Sequence, residues 1–160
     1  MLKSVLSKSK KVGIIVTLIF TVAVNYCFKY SFNDQDWLSY TNRCLSESYD
    51  PTGDAKLKKW ELSVNSDAFV RLRKTYAKGK QEYYSFNLHQ FNDMDYMGNE
   101  NTGSLKLKTT ADDIIVQTHN DPHGDVDSMT TELDIPVKNM QPERLDSLRE
   151  AFNTLRSKGL

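Results

Sequence analysis

The sequence has little cysteine, glycine or proline: 2 Cys, 7 Gly and 4 Pro occur in 160 residues. Two cysteines cannot form the dense disulfide framework of a small secreted scaffold. So few glycines and prolines also exclude a collagen-like or low-complexity chain. Net charge is absent as well, since 21 basic and 21 acidic side chains balance at pH 7. With 39% hydrophobic residues, the composition is that of one ordinary folded domain.

The neutral total hides an uneven distribution of charge. Residues 1–30 contain five lysines and no Asp or Glu, which leaves 16 of the 21 basic side chains and all 21 acidic ones in residues 31–160. Duplex nucleic acid is bound mainly by basic surfaces that neutralise its phosphates. The mildly acidic remainder of the chain therefore argues against nucleic-acid binding.

Residues 12–28 form an uncharged run of 17 that is flanked by lysines. At about 1.5 Å per residue, a helix of this length measures roughly 26 Å, the short end of what crosses a hydrocarbon core. A cleaved secretory signal, the alternative, needs small residues two positions apart near the end of the run, and Thr21 and Ala23 match this weakly. We therefore expect a basic segment over 1–11 and an uncleaved single-pass transmembrane signal anchor over 12–29.

The lysines precede the apolar run, so the positive-inside rule places the N-terminus in the cytoplasm. The rest of the chain is then expected outside the cytoplasm, in the periplasm if the organism is bacterial. It comprises a juxtamembrane helix and linker over 30–55 and an extracytoplasmic domain over 56–160. Cys44 is the only cysteine away from the membrane boundary. We expect a buried free thiol there, with an intermolecular disulfide as the alternative.

Two helices are predicted from apolar residues at helical spacing. Asn33 and Asp34 can cap a helix over 34–47. Its apolar stripe consists of Trp37, Leu38, Thr41, Cys44 and Leu45. A second helix begins near Pro142 and ends before Gly159. Its apolar stripe consists of Leu145, Leu148, Phe152 and Leu155.

Between the helices, apolar and polar residues alternate as in strands with one buried face. The predicted strands lie near residues 58–64, 70–73, 84–88, 105–107, 114–116 and 128–138. Pro, Gly, Asp and Asn mark 46–56 and 91–103 as loops. The predicted fold class is α+β: an N-terminal transmembrane helix, then about six antiparallel strands in a meander-like sheet with a C-terminal helix packed on one face.

Such a sheet is wider than the helix that covers it. Six strands span about 29 Å, whereas one helix covers about 10 Å. The helix over 34–47 packing beside the last helix, a curled sheet, or a partner protein would bury the rest. The opposite face would present Lys59, Arg71, Arg73, Lys106 and Lys108, with Glu61, Glu132 and Asp134 among them. The five basic residues indicate either an ordinary solvated face or a docking surface for an acidic partner or an anionic envelope polymer.

One stretch is dense in metal-ligating side chains. The candidate metal ligands are His119, Asp121, His123, Asp125 and Asp127. Alternating aspartates resemble part of a calcium loop, but the closing Glu of the twelve-residue pattern is missing. The alternative is a polar hairpin loop that uses Asn, Asp, Pro and Gly for their backbone preferences.

Catalytic motifs are scarce in this sequence. It contains no G-x-S-x-G elbow, no glycine-rich phosphate loop and no C-x-x-C pair. We therefore expect a non-enzymatic, single-pass membrane protein without a cofactor. Its extracytoplasmic domain would bind another envelope protein in an accessory, adaptor or inhibitory role, and a homo-oligomer is compatible with this. An extracytoplasmic sensor domain that binds a ligand or metal through residues 119–127 is the alternative.

Overall fold

The structure, a computed structural model, describes residues 33–53 and 56–158. The expected membrane anchor at 12–28 lies outside these residues. Within the two described ranges, no helix is both long and apolar enough to cross a membrane. Helix α1 (Asp34–Ser48) and helix α2 (Pro142–Lys158) flank the strands, as predicted. Asn33 is the N-cap of α1, since its side chain accepts a hydrogen bond from the Asp36 N–H at 2.9 Å.

Eight antiparallel strands lie between the helices, in two sheets rather than in one sheet of about six. Five strands pair in the order β1-β2-β3-β6-β7 and three in the order β4-β5-β8. The strands are β1 (Leu57–Val64), β2 (Phe69–Tyr76), β3 (Gln81–Asn87), β4 (Phe91–Gly98), β5 (Thr102–Thr109), β6 (Ile114–His119), β7 (Asp127–Thr130) and β8 (Glu132–Lys138). The α+β class is confirmed, and the single meander-like sheet is wrong.

The last predicted strand, 128–138, is two strands in different sheets. Its alternation continues without a break, but the chain passes from β7 to β8 at Thr131, whose carbonyl accepts a hydrogen bond from the Thr109 N–H at 3.0 Å. Met129, which the alternation assigns to the core, is exposed on β7. Leu133 and the later apolar residues of β8 are buried as expected.

The predicted loop over 91–103 is also a strand, β4, followed by a tight turn into β5. A β-bulge between Phe91 and Asp93 shifts the alternation, so that Met94 points into the core while Asp93 and Asp95 lie on the other face. The amide and carboxylate side chains of this segment belong to the solvent-facing side of a strand. The loop that composition predicted over 91–103 is therefore wrong.

Both sheets and both helices contribute to one core. Helix α1 packs against α2 and β1, which is the first of the three ways we expected the apolar face to be covered. Phe91 of β4 meets Phe152 of α2 edge to face, with ring centroids 5.2 Å apart. The largest fully buried side chains include Tyr49, Phe86, Phe91, Phe152, Leu45, Leu72 and Leu88.

The segment after α1 is part of this core rather than a linker outside it. Tyr49 is only 1% exposed, its ring lies 4.4 Å from that of Trp60, and its backbone forms a bridge with Val137 of β8. Cys44, one turn earlier, is buried and free, as predicted. Burial raises the pKa of its thiol. Helix α1 therefore belongs to the same folded unit as the strands.

Candidate partner-binding surface

The outer face of the five-stranded sheet consists of the side chains that point away from the core. Strand register aligns them in three rows that run across the sheet. The first row is Ser63, Arg71, Ser85, Ile115 and Met129. The second is Glu61, Arg73, Tyr83, Gln117 and Asp127. The third is Lys59, Thr75, Gln81 and His119.

Three of the five predicted basic residues lie together on this outer face: Lys59, Arg71 and Arg73, all of them exposed. Arg73 is held in place by its neighbours. Its guanidinium lies 4.9 Å from the ring centroid of Tyr83 and donates a hydrogen bond to Gln81 Oε1 at 3.2 Å. The Tyr83 hydroxyl donates to the same oxygen at 2.6 Å. The arginine is thus oriented by a cation–π contact and a shared acceptor.

Arg71 lies beside Arg73 and is less constrained. Its guanidinium sits 5.7 Å from the ring centroid of Phe69, and within the described part of the chain it forms no salt bridge. Both arginines line a depression of about 330 Å³, together with Glu61, Tyr83 and other residues of β1, β3 and β6. Guanidinium groups bind carboxylates in a bidentate manner. The depression can therefore receive an acidic side chain.

Lys106 and Lys108 do not belong to this face. Both lie on β5, in the three-stranded sheet, where Lys106 Nζ is 2.7 Å from Glu132 and Lys108 Nζ is 2.6 Å from Asp95. The hydrogen bond to Glu132 raises the pKa of Lys106, and the one from Lys108 lowers the pKa of Asp95. The expected single patch of five basic residues is therefore divided between two sheets, and the β5 pair is neutralised by carboxylates of β4 and β8.

The candidate metal ligands are spread along the β6–β7 connection. His119 lies on the outer face with its ring centroid 5.4 Å from that of Tyr83. Asp121 accepts a hydrogen bond from the His123 N–H, and Asp125 accepts one from the Asp121 N–H, both at 2.9 Å. Among residues 33–53 and 56–158, no group of three or more His, Cys, Asp or Glu side chains is arranged to hold a metal ion.

Asp127, the fifth candidate ligand, accepts from Gln117 Nε2 at 3.3 Å. The carboxylates of this connection therefore shape the loop through its own backbone and neighbouring side chains. This is the behaviour of a polar hairpin loop.

An ionic cluster ties this loop to β3, and the sequence did not reveal it. Lys80 Nζ lies 2.9 Å from Glu82 and 2.8 Å from Asp121. Tyr76 and Tyr84 donate to Glu82 Oε2 at 2.9 and 3.2 Å. Burial alone would raise the pKa of Glu82, but the hydrogen bonds from Lys80 and Tyr76 hold it below its ordinary value.

Lys74, beside this cluster, is only 6% exposed. Its side chain points to the same inner side of β2 as those of Val70 and Leu72, and its ammonium lies 5.7 Å from the ring centroid of Tyr84. The alternation along β2 could have revealed the cluster from the sequence, because a lysine at an inward-facing position needs an acidic or aromatic neighbour. The cluster is structural, because it fixes the β6–β7 connection against the end of β3.

The groups of the outer face that are available for binding are two arginines and a tyrosine beside an open depression. Ile115 and Met129 are exposed farther along the same face. Arginine, tyrosine and methionine are enriched in protein interfaces. Comparison with protein-family models, with curated proteins and with solved structures finds no match to this chain.

Proposed function

We propose that this protein is a single-pass membrane protein whose extracytoplasmic domain binds another envelope protein, as an accessory, adaptor or inhibitory subunit without catalytic activity. The observation that carries the proposal is the outer face of the five-stranded sheet. There Arg71 and Arg73 line an open depression beside Tyr83. The uncharged run over 12–28 supports the membrane anchor.

Charge favours an acidic partner at this position. Residues 31–160 have an excess of five acidic side chains, yet Lys59, Arg71 and Arg73 gather on one face. A basic patch on an otherwise acidic domain attracts an acidic surface. The depression of about 330 Å³ suits a projecting Asp or Glu side chain of the partner.

The arginines differ in a way that supports recognition of a protein surface. Arg73 is already oriented by Tyr83 and Gln81, so it loses little conformational entropy when a carboxylate binds. Arg71 has no salt bridge to break among the described residues. A membrane anchor would add to this, because it confines the domain to the layer where the partner lies and raises the effective concentration.

The test is crosslinking of the tagged full-length protein in its native membrane, with the double variant Arg71→Glu/Arg73→Glu. We expect one stoichiometric partner in the wild type and a loss of about tenfold or more in the double variant, since like charges would then face each other. The matched control is Arg43→Glu/Lys78→Glu, which makes the same charge change at two exposed residues away from the outer face. Equal crosslinking of both double variants, each with a wild-type thermal melt, would overturn the proposal.

A further inference from the structure

The two sheets have four edge strands: β1 and β7 in the larger sheet, β4 and β8 in the smaller. An edge strand exposes main-chain N–H and C=O groups that can pair with another chain, and folded proteins usually cover such edges. How each edge of this domain is covered therefore indicates where another chain can add.

On three of the edges, groups of this chain hydrogen-bond to one or two main-chain positions. Asn42 of α1 hydrogen-bonds both main-chain groups of Val64 on β1. Arg149 and Arg156 of α2 donate to β4 carbonyls at 2.7 and 2.9 Å. The segment after α1 covers β8, where the Asp50 N–H donates to the Pro136 carbonyl at 2.9 Å.

The fourth edge, β7, has no such cover among the described residues. The Thr118 N–H donates to the Val126 carbonyl at 2.9 Å, so Val126 faces β6. Residues of an antiparallel strand alternate between facing one neighbour and the other. The main-chain groups of Asp127 and Met129 therefore point away from β6, and within residues 33–53 and 56–158 nothing hydrogen-bonds to them.

The side chains around this edge are both apolar and acidic. Met129 is 56% exposed and lies directly across from Ile115, which is 37% exposed. Asp125 and Asp127 stand at one end of β7. From residue 109 to residue 137 the sequence has seven carboxylates and no Lys or Arg. Three of the seven face Lys80 or Lys106, and the other four, Asp125 and Asp127 among them, form no salt bridge within the described residues. The β7 edge thus combines a small apolar contact with the negative charge of Asp125 and Asp127.

We propose that the outer edge of β7 binds an extended, basic segment of a partner protein as an added strand. An apolar residue of that segment would lie beside Met129 and Ile115, and a Lys or Arg two positions away would face Asp127. Main-chain hydrogen bonds to Asp127 and Met129 supply affinity in such complexes, and alternate side chains supply specificity. The inference rests on the proposed function in taking a protein as the occupant, but it concerns the β7 edge of the sheet rather than the depression at Arg71 and Arg73.

The test uses full-length protein in detergent micelles and the peptide TKTVTKT-amide, labelled with fluorescein at its N-terminal amine. This probe reads the same in both directions, so it can pair in a parallel or antiparallel sense. We expect saturable binding by anisotropy and slower hydrogen exchange at the amides of Asp127 and Met129. The control peptide TETVTET carries glutamates instead and should bind at least about tenfold more weakly, because Asp125 and Asp127 repel it.

The variant Met129→Pro removes an outward N–H without breaking the β6–β7 ladder. It should weaken binding of the lysine peptide about tenfold, the value of one main-chain hydrogen bond, whereas Met129→Thr keeps the N–H and should lose less. Equal binding of both peptides, or unchanged exchange at both amides in the wild type, would overturn the proposal. So would self-association abolished by Met129→Pro without peptide binding, since the occupant would then be a second copy.

These readouts do not depend on Arg71 or Arg73. Loss of the crosslinked partner in Met129→Pro but not in the arginine double variant would remove the basic-face proposal and leave the β7 edge. Peptide binding that fails while the arginine variant still loses its partner would remove the β7 edge alone.

Discussion

The side-chain amide of Asn42 pairs with both main-chain groups of Val64. Its Nδ2 donates to the Val64 carbonyl at 2.8 Å, and its Oδ1 accepts from the Val64 N–H at 2.7 Å. A helix residue thus takes the position of a neighbouring strand along the edge of β1. The same Nδ2 also donates to the Leu38 carbonyl at 3.1 Å, which fixes the rotamer of the amide.

Replacing this amide should destabilise the domain. In Asn42→Ala, the main-chain groups of the buried Val64 lose both partners, and we expect a cost of about 1–3 kcal/mol in the free energy of unfolding. Asn42→Asp keeps the acceptor, loses the donor and should also be destabilised. Urea unfolding followed by tryptophan fluorescence measures this. Asn153→Ala, an exposed site on α2, is the control and should stay within about 0.5 kcal/mol of the wild type.

Ala68 occupies a left-handed backbone conformation, with φ of 58°, and is fully buried in the β1–β2 turn. A β-branched residue fits neither that conformation nor that space, so Ala68→Val should cost about 2 kcal/mol or more. Ala68→Gly relieves the backbone but loses a buried methyl group, and should remain within about 0.5 kcal/mol. Thermal melts compare both with Ala77→Val, which lies exposed in the next turn. Similar melting temperatures for the two valine variants would contradict this reasoning.

The Cys44 thiol should be inert in the folded protein. It is 3% exposed, and burial raises its pKa, so little reactive thiolate is present near neutral pH. In a Cys27→Ser background, where Cys44 is the sole thiol, we expect labelling about a hundredfold slower than in denaturant. Ser46→Cys, exposed on the same helix, provides the fast reference when Cys44 is replaced by alanine. Rapid labelling of native Cys44 would contradict its place in the core.

The ionic cluster at Lys80 should make stability depend on pH. The pKa of Asp121 is lowered by the hydrogen bond from Lys80, and that of Glu82 is lowered despite burial. Carboxyls with lowered folded pKa values stabilise the fold above their unfolded pKa of about 4, and this stabilisation is lost as the pH falls through the folded values. The Lys80 pKa is raised, so its own contribution persists until alkaline pH.

Lys80→Met removes the cation of this cluster. It should lower the melting temperature clearly at pH 7 and much less near pH 3, where the carboxyls are largely protonated in the unfolded chain. Lys78→Met, in the same turn and exposed, controls for the change in net charge. A drop of the same size at both pH values would show that Lys80 acts through packing instead.

The helices could be predicted because caps and apolar spacing agree at their ends. Asn33 and Pro142 mark the starts of α1 and α2, and the apolar stripes face the core in both. The strands β1, β2, β3, β5 and β6 likewise followed period-two alternation. These features are local, since each depends on residues a few positions apart.

Sheet membership depends on distant pairing, and it could not be predicted. Nothing near Thr131 distinguishes a continuous strand from a passage between sheets. The bulge near Phe91 displaced the alternation of β4, so its Asn and Asp residues resembled a loop. For the same reason the five basic candidates were expected on one face. Arg71 and Lys106 each occupy an outward position of the alternation in their own strand, but the two strands belong to different sheets.

Arg144 of α2 reaches back to the end of α1, donating to Ser48 at 3.0 Å and pairing with Glu47 at 3.2 Å. The ribosome makes α2 after every strand, yet this helix covers the β4 edge and contributes Phe152 to the core. A nascent chain that has not released α2 therefore cannot complete its fold, and its β4 edge stays open to other chains. The domain can therefore complete its fold only after α2 has left the ribosome.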